Sequence, residues 1–275
     1  MLPHLILPVR PVLREWVESI SFMNIDFEKH GVSSIQVYPQ FVTEHLYFTI
    51  AGDACLVQTD PQKGFIKYPR NFIVGPQLVN DIVDLGKCKH IARISFRPGG
   101  LYRLLGIPMY ELTDGLDLSL VLAKQSRDLS ERLAGAADNY AAFEILESFL
   151  LQRAALLKPI TPYDLAIAEL VKHNGNISIR QAADWAALSI RQFERKSQMM
   201  LGVPPKLYAR ITRFSNACRY KQANPDKTWL QVTYEYGYAD QMHLINDFKQ
   251  FTGVNPESPE GRQALGVLSL IEGKR

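Results

Sequence analysis

Three side chains in the second half of this chain have the type and spacing to read a nucleic-acid edge. Arg191, Arg195 and Gln198 step by four and then three residues, which puts them on one face of a helix. A guanidinium can meet O6 and N7 of guanine with two parallel hydrogen bonds, and a carboxamide can do the same for adenine. About fifty residues further on, Gln241, Met242, Ile245 and Asn246 occupy a comparable stretch. Here the amides suit adenine, and Met and Ile suit a thymine methyl. Lys196, Lys206, Arg210, Arg213 and Lys249 are the cations available to phosphate. Lys206, Arg210 and Arg213 form a stripe that either touches phosphate or faces water.

The charge balance agrees with this placement. The 275 residues carry a net charge of only +3, but it is uneven. Residues 161–225 hold ten Lys and Arg against four Asp and Glu, a local +6, while residues 1–160 come to −1 and residues 226–275 to −2. A basic block in a near-neutral chain fits a polyanionic partner, or simply a solvated helical face.

The elements that must position these side chains are helices with legible ends. Gly175-Asn176 closes one helix, Ser178 caps Ile179–Ala186, and Ser189 caps Ile190–Met200 ahead of Gly202. A long helix is predicted over Pro205–Ala223, its apolar positions Leu207, Ile211, Phe214 and Cys218 lying on one face. Thr228 with Gln231 forms a capping-box pattern, Gly237 marks a turn, and Asp240 caps Gln241–Thr252 before Gly253. A short helix, a tight turn and a second capped helix thus occur twice, starting near Ser178 and Thr228: an internal repeat of a helix-turn-helix.

The first half reads differently. Short β-rich runs are predicted at Leu46–Ile50, Ala54–Thr59, Gly64–Tyr68, Asn71–Val74, Ile82–Leu85 and His90–Phe96, which suggests a small barrel or sandwich. Helical patterns follow around Leu101–Leu105 and over Ala141–Leu157. The expected fold class is α+β: a β-rich domain with helices over residues 1–157, a proline-bearing linker at 158–162, an all-α domain at 163–258 and a tail at 259–275. A barrel mouth offers a small-molecule pocket, for which Tyr38, Tyr47, Phe65, Arg93 and Phe96 are the candidate lining.

The segment from Ile177 to Phe214 resembles the first helix-turn-helix of the AraC/XylS family of bacterial regulators. The segment Thr228–Pro256 resembles the second, through Tyr236-Gly237-Tyr238, Asp240-Gln241, His243, Phe248-Lys249 and Phe251-Thr252-Gly253-Val254. Residues 96–114 resemble the strand-to-helix element of a group of uncharacterised β-rich sensor domains found in that family. The resemblance implies a transcription regulator whose partners are double-stranded DNA, an unidentified small-molecule effector, a second copy of the chain and, for an activator, RNA polymerase. Ala187 stands where a helix-turn-helix often carries Gly, Thr233 replaces a usual Ala, and Asp247 lies in a stretch often basic in relatives.

Catalysis has little to stand on in the sequence. No GxSxG, HExxH or phosphate-binding glycine loop occurs. The alternatives are a cupin-like metal enzyme and a DNA-repair methyltransferase with an AraC-like module. Glu44 and His45, adjacent in a strand, point to opposite faces and cannot easily share a metal. None of Cys55, Cys88 and Cys218 sits in a reactive motif. The expectation is a non-enzyme with no cofactor and no metal. With no signal-like start and no long apolar run, a cytoplasmic location is expected.

Overall fold

The computed structural model describes residues 4–60, 62–112 and 115–272, with the side chains of the last helix described as far as Leu268. Its first part is built on two antiparallel sheets. Strands β1 (His4–Leu7), β2 (Val17–Asp26), β3 (Ile35–Tyr38), β4 (Glu44–Gly52), β5 (Leu56–Gln58), β6 (Ile66–Lys67), β7 (Asn71–Val74), β8 (Asp81–Asp84), β9 (Cys88–Phe96) and β10 (Leu116–Asp117) divide six and four. The larger sheet runs β1-β2-β9-β4-β7-β10 and the smaller β3-β8-β5-β6.

Strand periodicity sends the side chains of the larger sheet to two cores. Ile20, Phe22, Leu46, Phe48, Ala92, Ile94 and Phe96 face one side, with helices α1 (Gly100–Leu105), α2 (Ala123–Ala134) and α3 (Asn139–Ala154) supplying Leu101, Leu129, Leu146 and Phe149. Ile25, Phe72, Val74 and Ile91 face the other side, among Phe41, Cys55, Val57, Tyr68 and Leu85. The expected β-rich domain is therefore a sandwich with one sheet covered on both faces. The longest strand, β2, lies where no strand was predicted, and α2 likewise.

The second part is helical: α4 (Pro162–Lys172), α5 (Ile179–Trp185), α6 (Ile190–Leu201), α7 (Pro205–Ala223), α8 (Trp229–Glu235), α9 (Gln241–Thr252) and α10 (Pro259–Glu272). The segment read as a tail thus carries α10, which packs on α7 and β3 and sends Val267 into the sandwich core. Among the described residues, no helix is long and apolar enough to cross a membrane.

The two parts are joined by more than the linker. Val42, from the β-rich part, belongs to the helical core. The Glu44 carboxylate accepts hydrogen bonds from the backbone N–H of Gly99 (3.3 Å) and Leu101 (3.0 Å). Burial raises its pKa to about 8 against the lowering effect of those two bonds. His45, on the opposite face, shares a hydrogen bond with the Thr43 hydroxyl and is held neutral by burial, with the charge of Arg93 adding to the effect.

Candidate nucleic-acid interface

Both helix-turn-helix units are assembled by local chemistry. In the first, the Ser178 hydroxyl accepts from Gln181 N–H, and Ser189 forms a capping box with Gln192. Between them Ala187 turns the chain at φ +52°. In the second, Thr228 and Gln231 form a capping box, Gly237 turns at φ +66°, and the Asp240 carboxylate accepts from His243 N–H at 2.7 Å. Gly202 and Gly253 stop α6 and α9 in the left-handed conformation.

The units share one core along α7, whose Ile211, Phe214 and Cys218 are buried. Phe193 of α6 is fully buried against Tyr163, their rings 5.0 Å apart. Leu244, Phe248 and Phe251 of α9 are likewise fully buried, and Phe214 lies between the last two. These anchors fix which face of each helix looks out. On α6 that face carries Arg191 and Arg195, both exposed, lining one surface hollow with Ser189 and Gln192. On α9 it carries Met242 and Asn246, both exposed, flanked by half-buried Gln241 and Ile245.

Several expected contacts fall elsewhere. Gln198 is half-buried and its amide donates to Gly202 O at 3.1 Å, so it closes its own helix. The phosphate reading of Arg210 gives way to a structural one. Its Nε and Nη2 donate to the Asp247 carboxylate at 2.8 and 2.5 Å, its Nη2 also donates to Gln250 at 2.6 Å, and it lies over the Phe251 ring. Asp247, fully buried, also accepts from the Tyr238 hydroxyl. Arg213 is half-buried over the Tyr238 ring and turned toward Gly175 O. The stripe on α7 therefore splits: Lys206 faces solvent, and the two arginines hold the units together. Lys249 is exposed, and Lys196 is half-buried over the Tyr163 ring. Thr233 bonds back to Trp229 O, which satisfies its hydroxyl inside the core. Exposed Trp185 and Tyr234, on the first helix of each unit, were not singled out from sequence. An aromatic at a helix end gives no signal of its exposure.

The C-terminal ends of both exposed helices rest on the β-rich part. Gly202 packs against Pro76 and Met109, and Met199 sulfur accepts from the Tyr102 hydroxyl. Phe251 O accepts from Gln40 N–H at 2.9 Å, and Gly253 lies against Asn80. Among the pocket candidates, Tyr38 and Tyr47 line a cavity between the two sheets, together with Phe41, Tyr68 and Phe72. Phe65 is exposed and lies outside it, because the short β6 leaves that stretch at the surface. Phe96 belongs to the opposite core and borders a cleft toward α7. Arg93 stands on β9 between Ile91, which lines the cavity, and Ser95, which lines the cleft.

Residues 182–258 match the family model described as a helix-turn-helix domain. The chain carries that domain, and its two units joined by a long helix are the AraC-type arrangement. No curated protein matches the chain in sequence. Among solved structures, ToxT from Vibrio cholerae is 12% identical with a TM-score of 0.49, over 91% of this chain and 98% of that one. ToxT from Vibrio cholerae O395 bound to (E)-4-(8-methylnaphthalen-1-yl)but-3-enoic acid is 12% identical with a TM-score of 0.48, over 85% and 98%. The AraC-like transcriptional activator CuxR is 12% identical with a TM-score of 0.18, over 93% and 80%.

Proposed function

We propose that this chain is a sequence-specific DNA-binding transcription regulator that sets α6 and α9 into adjacent major grooves of one duplex. The observation that carries the reading is the paired presentation of Arg191 and Arg195 on α6 and of Met242 and Asn246 on α9. Apolar anchors fix both helices on the single rod α7. Arg191 and Arg195 make the dominant base contacts, with bidentate pairing of Arg195 to guanine as the strongest. Gln241, Met242, Ile245 and Asn246 add a weaker, A·T-directed readout. Lys206, Lys249 and Lys196 neutralise phosphates, helped by the N-termini of α6 and α9.

The β-rich part is the input module, and a small molecule bound there biases how the two helices are presented. Regulation rather than catalysis is the role this reading assigns, in the cytoplasm, with a homodimer as the DNA-bound form and RNA polymerase as a contact if the protein activates. Selection of bound fragments from random or genomic DNA tests it. The expected product is a motif with two segments about one helical turn apart and steeply salt-dependent affinity. Unenriched fragments, or affinity indifferent to salt, would overturn the reading.

A further inference from the structure

The smaller sheet has one face toward the cavity between the sheets and one turned away from it. Tyr38, Val57, Asp81 and Val83 line the cavity, so strand alternation sends their neighbours outward. Register sets those outward side chains in two rows across β3, β8, β5 and β6. The first row runs Ile35, Asp84, Leu56, Lys67, and the second Val37, Ile82, Gln58. The same alternation brings Phe65, immediately before β6, to the end of the second row. Ile35 is 48% exposed, Val37 46% and Phe65 44%, and Leu56 and Ile82 are half-buried beside them. Five of these eight positions are apolar, which makes a surface suited to contact rather than to hydration.

Two charges interrupt this surface, and their places decide what fits it. Asp84 and Lys67 stand on the first row, one on each side of Leu56. A second copy laid face to face on the sheet is related to the first by a two-fold axis between the two, running along the strands. An axis over β8 or β6 sets Asp84 on Asp84 or Lys67 on Lys67, which like charges oppose. One midway between β8 and β5 sets Asp84 on Leu56 and buries a carboxylate against an apolar side chain. An axis over β5 sets Asp84 of each copy opposite Lys67 of the other, Leu56 on Leu56, and Ile82 on Phe65. The face is then complementary to itself in charge and in apolar content.

We propose that the outward face of β3-β8-β5-β6 is a homodimer contact, its two copies related by an axis over β5. The assignment deepens the homodimer reading and rests on it. The contact is small. Eight side chains from each copy fall well short of the roughly 20–30 of a standard interface, so the free dimer is weak and reversible. Two copies seated on neighbouring DNA sites face each other at high local concentration, and there the contact closes.

The test follows the full chain, without DNA, by sedimentation velocity over a wide range of concentration. A monomer–dimer equilibrium is expected. Phe65→Ser and Lys67→Glu, both at exposed positions, should each weaken it at least about tenfold and leave the melting temperature unchanged. Asp84→Lys should weaken it likewise; Asp84 also accepts from Gly86 N–H, so its melting temperature is read alongside. Mixing folded Lys67→Glu with folded Asp84→Lys should restore the dimer, because both contacts then pair opposite charges. A chain monomeric at every concentration, a dimer indifferent to Phe65→Ser and Lys67→Glu, or folded reversed variants that do not recover on mixing would overturn the proposal. DNA retention measured in parallel separates the two readings: DNA binding with no dimer at this face sinks only the contact, and a dimer that retains no DNA sinks only the regulator.

Discussion

The two helix-turn-helix units are near-copies in backbone and opposites in what they hold out. Both second helices run twelve residues, Ile190–Leu201 and Gln241–Thr252, and both end on a left-handed glycine. Matched position by position, Arg191 and Arg195 of the first become Met242 and Asn246 of the second, and Lys196 becomes Asp247. The first unit turns its cations outward. The second draws Arg210 of α7 onto a buried acid and shows neutral Met242 and Asn246 at the positions matched to Arg191 and Arg195. On the proposed reading the duplicated scaffold divides labour: one helix offers cations for base contact, and the other is braced and offers amide and apolar side chains.

The widest gap between the units should appear in stability. Asp247→Ala leaves Arg210 and Tyr238 without their shared acceptor and should cost about 3–5 kcal/mol in denaturant unfolding. Lys196→Ala, at the matched position, should cost no more than about 0.5 kcal/mol. Comparable losses would mean that Asp247 is not the brace described.

Binding should show the next largest gap. At fixed salt, Arg195→Ala should lose about 1–3 kcal/mol of specific DNA affinity, relaxing preference at one base pair. Asn246→Ala should lose less, and an equal or greater loss would invert the division of labour. The turns give a smaller and symmetrical test. Ala187 adopts the left-handed conformation that Gly237 adopts in the second unit. Ala187→Gly should therefore stabilise by about 0.5–1 kcal/mol, and Gly237→Ala should destabilise by about 1–2 kcal/mol, in thermal unfolding. Smallest is the salt slope of DNA binding. Lys206→Ala and Lys249→Ala should each lower it by about 1, whereas Arg210→Ala, in protein still folded, should leave it unchanged.

The helical half was legible because its signals are local. Ser178, Ser189, Thr228 and Asp240 each cap a helix within three residues, and α7 and α9 lie where the pattern put them. What the pattern could not show was the pairing of Arg210 with Asp247, 37 residues apart, which turned an expected phosphate contact into a brace. The β-rich half hid its longest strand for a physical reason. In β2, Ser19 and Ser21 occupy buried positions where a strand covered on both faces would carry apolar side chains, so the run lacks the continuous apolar stretch of a buried strand. Phe65 misled in the opposite direction: it precedes the two-residue β6, whose Ile66 and Lys67 are also exposed, and hydrophobicity alone does not say that a stretch lies at the surface.

The seating of α6 on Pro76 and Met109, and of α9 on Gln40 and Asn80, means that the two halves do not behave as beads on a string. Severing the chain at residues 158–162 would bare surfaces each half now hides in the other, and α10 would take Val267 out of a core formed by strands far from it in sequence. The protein should melt as one cooperative body, and the DNA-reading half should depend on its neighbour simply to stay folded.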